Sequence, residues 1–566
     1  MKQQTCVAIA LAGATAIASL VYDSQSEAAE PKRVLGLALS IVIFAIGFVY
    51  ARPPYRSRST IAALGFVVVS ALSIVWGLPC GLRDLSTWTA AIVVGFATSQ
   101  LEPRASLLAV RVAALTIGTA TSALAIVARA RGLFGFDLHA GQGNPNWLGL
   151  LLSVCVPLSI DAVVAATKTR ALRGFIACLI GVELVALYFS HSRVGWIAGG
   201  VSVIVQLVRS KRAMASVSAS ALVLAVIIAT PAQATTPSAQ SVSDDDIPAS
   251  VALSGRIWIW KMSAHAALKS PIVGAGLGRF GHAYLDAQGE SLSRLAPQTS
   301  ARRFVNATTA HNEYLQIAAE SGLVALGLFV YALALAMRDC ARRNWVGGLA
   351  ALVAFAICAM ADSPLRQPAM GLLVGMIFGV RSSPEHQENS RRFIARGLVL
   401  AGLIVSAWLA YGSTRSWMAT RARWRARDAD PKMQLALLNN AMRLDPSSGE
   451  ATLDLAIAEI ARGNIRSSIV GLVHANELVA DSGARIALAS ARLALGERDG
   501  AERDYRLALA WNTGSYRARV GLAETLLLQK RFAEAEEQAQ IAAVLRPGDL
   551  RTEELQDRIR EARMDE

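Results

Sequence analysis

Long apolar runs, most of them separated by short basic stretches, recur through the first three quarters of this 566-residue chain. Each run is about 20 residues long, which is the length that an α-helix needs to cross the hydrocarbon core of a bilayer. Because 53% of the residues are hydrophobic and only 17% are charged, a single soluble domain is excluded for this part. We predict an all-α, polytopic membrane helix bundle of about 12 to 13 spans, at residues 5–22, 33–51, 60–79, 86–101, 105–128, 147–166, 172–190, 194–208, 213–230, 313–337, 345–362, 368–380 and 394–413.

The arginines and lysines between these runs predict how the bundle lies in the membrane. Cytoplasmic loops carry an excess of such residues, and here they occupy every second loop. With Met1 inside, all of these loops are cytoplasmic, whereas residues 232–312 form a large extracytoplasmic loop and everything after Tyr411 is also outside. The net charge of +14 is therefore mainly a topology signal, and we do not infer nucleic-acid binding from it.

The N-terminal run has two interpretations. It follows Lys2, is rich in alanine and precedes Ser26-Glu27-Ala28-Ala29, which fits either a retained first span or a cleaved signal peptide. The topology of the remaining chain is the same in both cases.

The six cysteines predict neither a disulfide nor a metal site. None of them forms a C-x-x-C pair or a zinc-like spacing. Most lie inside apolar runs, where a free cysteine behaves as a small hydrophobic residue. We therefore expect no metal, no cofactor and no structural disulfide.

From about Arg421 onward, the apolar residues follow a helical spacing instead of forming continuous runs. The pair Leu455-Ala456 recurs as Leu488-Ala489 and Leu522-Ala523, 33 and then 34 residues apart. This is the period of tetratricopeptide repeats. We predict an extracytoplasmic α-solenoid of about three repeats over residues 421–566, which would offer a docking surface to a protein or glycan partner. A plain helical bundle is the alternative.

Two polar motifs stand at predicted outer ends of spans. Gly143-Asn144-Pro145-Asn146 precedes the sixth span, where such a turn is ordinary loop chemistry. Alternatively, Asn144 and Asn146 hydrogen-bond a polar head group at the membrane surface. Arg193 begins the eighth span, and an interfacial arginine often only extends its charge into the water. Arg193 is nevertheless predicted on the outer face, where the positive-inside rule makes arginine uncommon.

The large loop carries a second arginine and a glycine-rich turn. Arg256 begins an amphipathic stretch, and Gly274, Gly276 and Gly278 follow it. Glycines at this density could bind a phosphate through backbone N–H groups. More often, such a glycine-rich segment is only a turn.

The loop ends at His311, where an apolar helix begins. The positive end of the helix dipole disfavours imidazolium, so a neutral His311 could accept a proton there. A capping or interfacial histidine is the alternative. Asn312 is placed to cap the helix or to orient the ring. Glu320 shares a helix face with Glu313 and either orients the site or packs inside the bundle.

Together these motifs resemble the O-antigen ligase and polymerase superfamily, which includes protein O-oligosaccharyltransferases. The resemblance covers residues 1–413 in order and spacing, including the large loop between spans nine and ten, and the trailing repeats resemble a subset of the family. The motifs that carry it are Gly143-Asn144-Pro145-Asn146, Ser192-Arg193-x-Gly195-Trp196, Gly255-Arg256 with Trp260, Ser270-Pro271 with Gly274 and Gly276, His311-Asn312-Glu313-Tyr314-Leu315-Gln316 with Glu320 and Gly322, and Asp362-Ser363-Pro364-Leu365-Arg366 with Pro368-Ala369.

The resemblance implies a metal-independent glycosyltransferase of the bacterial cytoplasmic membrane. It would move a glycan from a polyprenyl diphosphate carrier to an acceptor hydroxyl on the outer face. Arginine forks bind phosphate oxygens in pairs and neutralise a leaving diphosphate, so we assign this role to Arg193 and Arg256, with Arg366 as a third. His311 would be the base. Further substrate-binding candidates are Asn144, Asn146, Asn312 and Glu320.

The acceptor stays open at this point. A lipid core, another glycan and a protein would share the donor chemistry. A non-catalytic scaffold or transporter for surface glycans is the alternative from a different class. Interior charges such as Glu183, with Arg111 as a candidate partner, would serve it. A transporter needs a polar path through the midplane, whereas His311, Arg193 and Arg256 are all predicted at the outer face, which favours the transferase.

Overall fold

The computed structural model describes residues 2–24, 27–50, 58–132, 140–166, 169–209, 253–380 and 392–564. All regular secondary structure in these ranges is helical, as predicted. The first eight helices are α1 (Lys2–Leu20), α2 (Ala29–Tyr50), α3 (Arg58–Leu72), α4 (Gly81–Ser99), α5 (Pro103–Ala130), α6 (Pro145–Ala165), α7 (Arg170–Phe189) and α8 (Arg193–Arg209). The loop helices α9 (Leu253–Lys269), α10 (Phe280–Leu292) and α11 (Pro297–Arg303) precede α12 (Glu313–Arg342), α13 (Val346–Ala361), α14 (Pro368–Gly379) and α15 (Arg392–Ala426).

Six of the described helices are long and apolar enough to cross a membrane, and α13 and α14 are shorter apolar helices. The six are α1, α3 with its 3₁₀ extension to Trp76, α5, α6, α7 and α12. A helix also lies at every other predicted span except 213–230, which falls outside the described residues. The chain is thus a multi-pass membrane protein, while the total of about 12 to 13 spans stays a prediction.

Small and aromatic residues pack the centre of the bundle. A side chain at Gly95 of α4 would come within 2.5 Å of the backbone of Gly375 on α14, so glycine permits this close helix contact. Beside it, the ring of Phe66 lies 5.1 Å from Trp88 and 5.5 Å from Phe329. These contacts join α3, α4, α12 and α14 into one core.

A kink in α12 receives the glycine-rich turn of the large loop. Gly322 has φ 82° and ψ 175°, which interrupts the helix. The N–H groups of Ala275 and Gly276 donate to the carbonyls of Ala319 and Glu320, at 2.8 Å and 2.9 Å. Because these N–H groups already have protein acceptors, the turn holds the loop against the bundle, and the alternative of a phosphate cradle has no support.

The C-terminal helices form the predicted repeats. Helices α16 (Pro431–Leu444) and α23 (Leu550–Met564) flank three helix pairs that begin at residues 449, 482 and 516, spaced by 33 and then 34 residues. The α-solenoid prediction is thus confirmed. The pairs are α17 (Gly449–Ile460) with α18 (Ile465–Leu478), α19 (Ser482–Ala494) with α20 (Arg498–Trp511), and α21 (Tyr516–Leu528) with α22 (Phe532–Leu545).

The repeats pack against the helices of the large loop. Trp511 Nε1 donates to Asp286 Oδ1 at 2.8 Å, and the hydroxyl of Thr513 donates to Ser300 Oγ at 2.7 Å. Gly289 of α10 lies against the carbonyl of Ala510 with no room for a side chain. The repeats therefore lie on the same side of the bundle as α9, α10 and α11.

Candidate functional site

His311 stands in a turn whose backbone is held on three sides. Its φ of 46° is uncommon for a residue other than glycine. Trp260 Nε1 donates to the carbonyl of His311 at 3.1 Å, and the N–H of Ala310 donates to Gln316 Oε1 at 2.6 Å. The N–H of Glu313 donates to the carbonyl of Asp362 at 3.1 Å. These bonds fix the backbone of the turn and hence the position of the imidazole.

The ring of His311 faces a carboxylate that the sequence analysis did not single out. Nδ1 lies 3.8 Å from Asp362 Oδ1, and within the described residues Nδ1 has no hydrogen-bond partner. The His311 side chain is 37% exposed, whereas that of Asp362 is 11% exposed. A carboxylate beside Nδ1 favours a proton on that nitrogen, which leaves Nε2 as the proton acceptor. In the sequence, Asp362 was visible only as the first residue of the 362–366 motif, and that motif did not indicate a role for it.

Asn312 uses its side-chain amide inside the protein. Its Oδ1 accepts from the N–H of Leu315 at 3.1 Å and so caps α12, one of the two roles expected for it. Its Nδ2 donates to the carbonyl of Met360 at 2.9 Å, which ties the start of α12 to the end of α13. Substrate binding by Asn312 stays a prediction.

Arg256 reaches the same end of α13 from the loop helix α9. Its Nη1 donates to the carbonyl of Ala361 at 3.3 Å, next to the carboxylate partner of His311. No carboxylate in the described part of the chain forms an ion pair with Arg256. Its charge is therefore available to an anionic ligand near His311.

Arg193 is the exposed first residue of α8. It has no ion-pair partner among the residues that the structure describes. Helix α8 packs against α6, where Gly149 contacts Ser192, and it packs against α13. On α6, Ser153 Oγ lies 3.3 Å from Cys358 Sγ in the last turn of α13, and Gly149, one turn earlier on α6, lies against Gly195. Because α13 ends beside His311, these contacts put Arg193 at the same end of the bundle as His311 and Arg256.

Asn144 and Asn146 differ in their surroundings. Asn144 Oδ1 accepts from the N–H of Trp147 at 2.8 Å and caps α6. The preceding turn is anchored by buried Lys32, which donates to the carbonyl of Gly141 and to Gln142 Oε1. Asn144 thus fits the structural interpretation of this motif, whereas Asn146 is exposed and keeps head-group binding open.

Arg366 and Glu320 pair with each other, which gives both a structural role. Arg366 Nη2 lies 2.5 Å from Glu320 Oε2, and Nη1 lies 2.7 Å from Asp84 Oδ2. Glu320 Oε1 accepts from the N–H of Gly278 at 3.1 Å. Burial by itself would lower the pKa of Arg366, but the two carboxylates raise it, so the guanidinium stays charged. Two carboxylates already match this charge, which argues against Arg366 as a third diphosphate ligand and favours the packing interpretation of Glu320.

The two interior charges expected to pair do not meet. Arg111 Nε lies 2.7 Å from Asp161 Oδ2, on a different helix from Glu183. Glu183 is fully buried and accepts from the hydroxyl of Ser159 at 3.0 Å. The expected pairing of Arg111 with Glu183 was therefore wrong, because Asp161 is closer to Arg111 across the contact between α5 and α6.

A valine at Gly195 should displace Arg193. A Cβ at Gly195 would lie 2.8 Å from the carbonyl carbon of Gly149, and backbone cannot move aside as a side chain can. We expect Gly195→Val to destabilise the protein by about 1–3 kcal/mol and to lower its Tm in detergent. Gly200→Val is the matched control, because a Cβ at Gly200, on the same helix, would meet no atom within 4 Å. Equal Tm values for the two variants would contradict this account.

A comparison with known protein families covers the motifs that lie between residues 176 and 330. Residues 176–330 match the O-antigen ligase family, and this segment contains Arg193, Arg256 and His311. No curated protein matches the sequence. Among solved structures, the crystal structure of the APC/C hetero-tetramer Cut9-Hcn1 is similar over 84% of this chain and 90% of that chain, with 10% identity and a TM-score of 0.24, which is too low to carry an argument. The resemblance is confirmed by the family match: over residues 176–330, this membrane protein is similar to the O-antigen ligases.

Proposed function

We propose that the protein transfers a glycan from a polyprenyl diphosphate carrier to an acceptor hydroxyl at the outer face of the bacterial inner membrane. A membrane function of the glycan ligase or polymerase type follows from the family match. One observation carries the finer proposal: His311 and Arg256 of the matched segment both meet the end of α13, where His311 faces Asp362 and Arg256 donates to the adjacent carbonyl of Ala361. A proton acceptor and a cation that has no ion-pair partner in the described ranges thus both lie at the end of α13.

The two arginines would act on the leaving group. When the glycosidic bond breaks, the carrier diphosphate takes the bonding electron pair and gains negative charge. Arg193 and Arg256 carry no carboxylate partner in the described ranges, so their forks are free to bind phosphate oxygens in pairs. Such a leaving group needs neutralisation more than protonation, and the paired carboxylates of hydrolytic glycosidases are not required.

His311 would activate the acceptor. Its Nε2 takes the proton of the acceptor hydroxyl as the oxygen attacks the anomeric carbon, and Asp362 stabilises the imidazolium that results. No step in this scheme uses a metal or a cofactor.

Three activities share this donor chemistry and differ only in the acceptor. A lipid core, a growing glycan and a protein hydroxyl correspond to O-antigen ligase, polysaccharide polymerase and protein O-oligosaccharyltransferase. The contacts of Trp511 and Thr513 with the large loop support an extracytoplasmic position for the repeats, where they could bind a protein or glycan partner. A scaffold or transporter would instead give no turnover with any acceptor.

Removing the charge of Arg256 tests the diphosphate role. We expect Arg256→Gln to lower turnover by about 10²–10³-fold, because one preorganised donor to the developing charge is lost. The same variant should bind polyprenyl diphosphate more weakly, as measured by competition with a labelled carrier. Arg302→Gln is the matched control, since Arg302 is an exposed arginine of the same loop. Unchanged affinity and turnover in Arg256→Gln would remove Arg256 from the site.

A further inference from the structure

A large cavity opens at the end of the bundle remote from His311. It has a volume of about 1020 Å³ and lies between α1, α5, α6 and α7. On α6 it is lined by Ala162 and Ala165, whereas Gly149, towards the other end of α6, lies against Ser192 and Gly195 beside Arg193. At a rise of 1.5 Å per residue, these two parts of α6 are about 20 Å apart. The cavity is thus separate from the proposed transferase site.

The deep part of the cavity is apolar. Its lining includes Leu107, Leu108, Val112, Leu115 and Ile176. Apolar cavities do not hold ordered water, and ligand sites in proteins typically have volumes of about 300–1,000 Å³. A cavity of this size among membrane helices is therefore large enough to take hydrocarbon chains.

The mouth of the cavity is polar and basic. Arg104 is exposed at the start of α5, and within the described residues it has no ion-pair partner. Arg104, Leu108, Arg111 and Leu115 recur at helical spacing, so one face of α5 carries both the basic mouth and the apolar wall. Glu102 also lines the mouth, while Arg111 is already matched by Asp161 at 2.7 Å.

One buried acceptor in this cavity lacks a donor. Gln4 Oε1 lines the mouth, is shielded from solvent and has no hydrogen-bond partner in the described part of the chain. A buried unsatisfied acceptor costs about 1–3 kcal/mol, and a ligand that supplies a donor would remove this cost. A hydroxyl on a lipid head group is such a donor.

We propose that an anionic glycerophospholipid occupies this cavity as a bound lipid. Its phosphate pairs with Arg104, and a head-group hydroxyl donates to Gln4 Oε1. An acyl chain packs against the wall formed by Leu108, Val112 and Leu115. Basic pockets between transmembrane helices on the cytoplasmic side bind lipid head groups in this way. The predicted topology puts Arg104 on that side. The bound lipid would fill the gap between α1 and α7 and stabilise the bundle.

Native mass spectrometry of the purified full chain tests the proposal. The detergent-solubilised protein is stripped of lipid and titrated with phosphatidylglycerol or phosphatidylethanolamine, and the bound fraction and Tm are measured. We expect phosphatidylglycerol to bind at least tenfold more tightly and to raise the Tm. Arg104→Gln should remove this preference. Leu108→Trp should lower the binding of both lipids, because the larger side chain would occupy part of the cavity. Arg209→Gln, an exposed arginine at the end of α8, is the matched control and should bind like the parent.

Three results would overturn the proposal. The first is equal binding of the two lipids by the parent protein, and the second is unchanged binding in both Arg104→Gln and Leu108→Trp. The third is the absence of any bound lipid. If Leu108→Trp fails to fold, Arg104→Gln still decides, because Arg104 is exposed and its removal leaves the packing intact. Glycan transfer is not part of the readout, so failure here leaves the proposed function untouched.

Discussion

Replacing His311 with asparagine is expected to lower glycan transfer by about 10²–10⁴-fold, which is the usual contribution of a general base. Asparagine suits this test because it tolerates the positive φ of 46° at this position better than most residues do. The turn should therefore keep its bonds to Trp260 and Asp362. Binding of the polyprenyl diphosphate donor should be unchanged, so that the loss appears in kcat and not in KM.

Two further variants make the test of His311 specific. His265→Asn is the matched control, because His265 lies in the same loop beside Glu290 and has no role in the scheme. Asp362→Asn should lower kcat less than His311→Asn does, since it removes the partner of Nδ1 but leaves Nε2 in place. Full activity in His311→Asn, with the control also active, would refute the base assignment.

Replacing Arg366 with glutamine is expected to destabilise the protein by about 3–5 kcal/mol. Asp84 and Glu320 are both largely buried, with side-chain exposures of 10% and 2%, and they would face each other without their cation. Glu320 also accepts from the N–H of Gly278, so the packing of the large loop against α12 should weaken. The measurement is thermal and chemical unfolding in detergent, with protection of the 270–280 segment followed by hydrogen exchange.

A double variant separates lost charge balance from lost packing. Glu320→Gln removes one of the two carboxylates, so Arg366→Gln with Glu320→Gln should recover part of the stability that Arg366→Gln alone loses. If Arg366 were a diphosphate ligand instead, Arg366→Gln would keep the parent's Tm and lose donor affinity. That outcome would restore the role expected for it from the resemblance.

The positions of the helices could be predicted because their cause is local. An apolar run of about 20 residues must either be buried in a protein core or cross a membrane, whatever lies elsewhere in the chain. The repeat period was visible for a similar reason, since each repeat is one supersecondary unit with the same apolar spacing. The cap at Asn312 was also readable, and its side chain begins α12. Asn144 caps α6 in the same way, but the sequence indicated only a turn there.

Partners distant in sequence could not be predicted. Arg366 was assigned to the diphosphate because its motif resembles the family, and only the folded bundle brings Asp84 and Glu320 to it. Asp362 was missed because its relation to His311 depends on how α13 ends beside α12. The glycine-rich turn was ambiguous for the same reason, since its N–H groups are satisfied by carbonyls exposed at the Gly322 kink.

The most direct measurement of the central claim is the stoichiometry of transfer in proteoliposomes. The purified protein is supplied with a polyprenyl diphosphate glycan and, separately, with a lipid-core, glycan or protein acceptor, and products are quantified by mass spectrometry. We predict that one acceptor class gains the glycan through a new glycosidic bond, with an equal amount of polyprenyl diphosphate released, and that His311→Asn stops both. No release of carrier with any of the three acceptor classes would contradict the account and favour a scaffold or transporter.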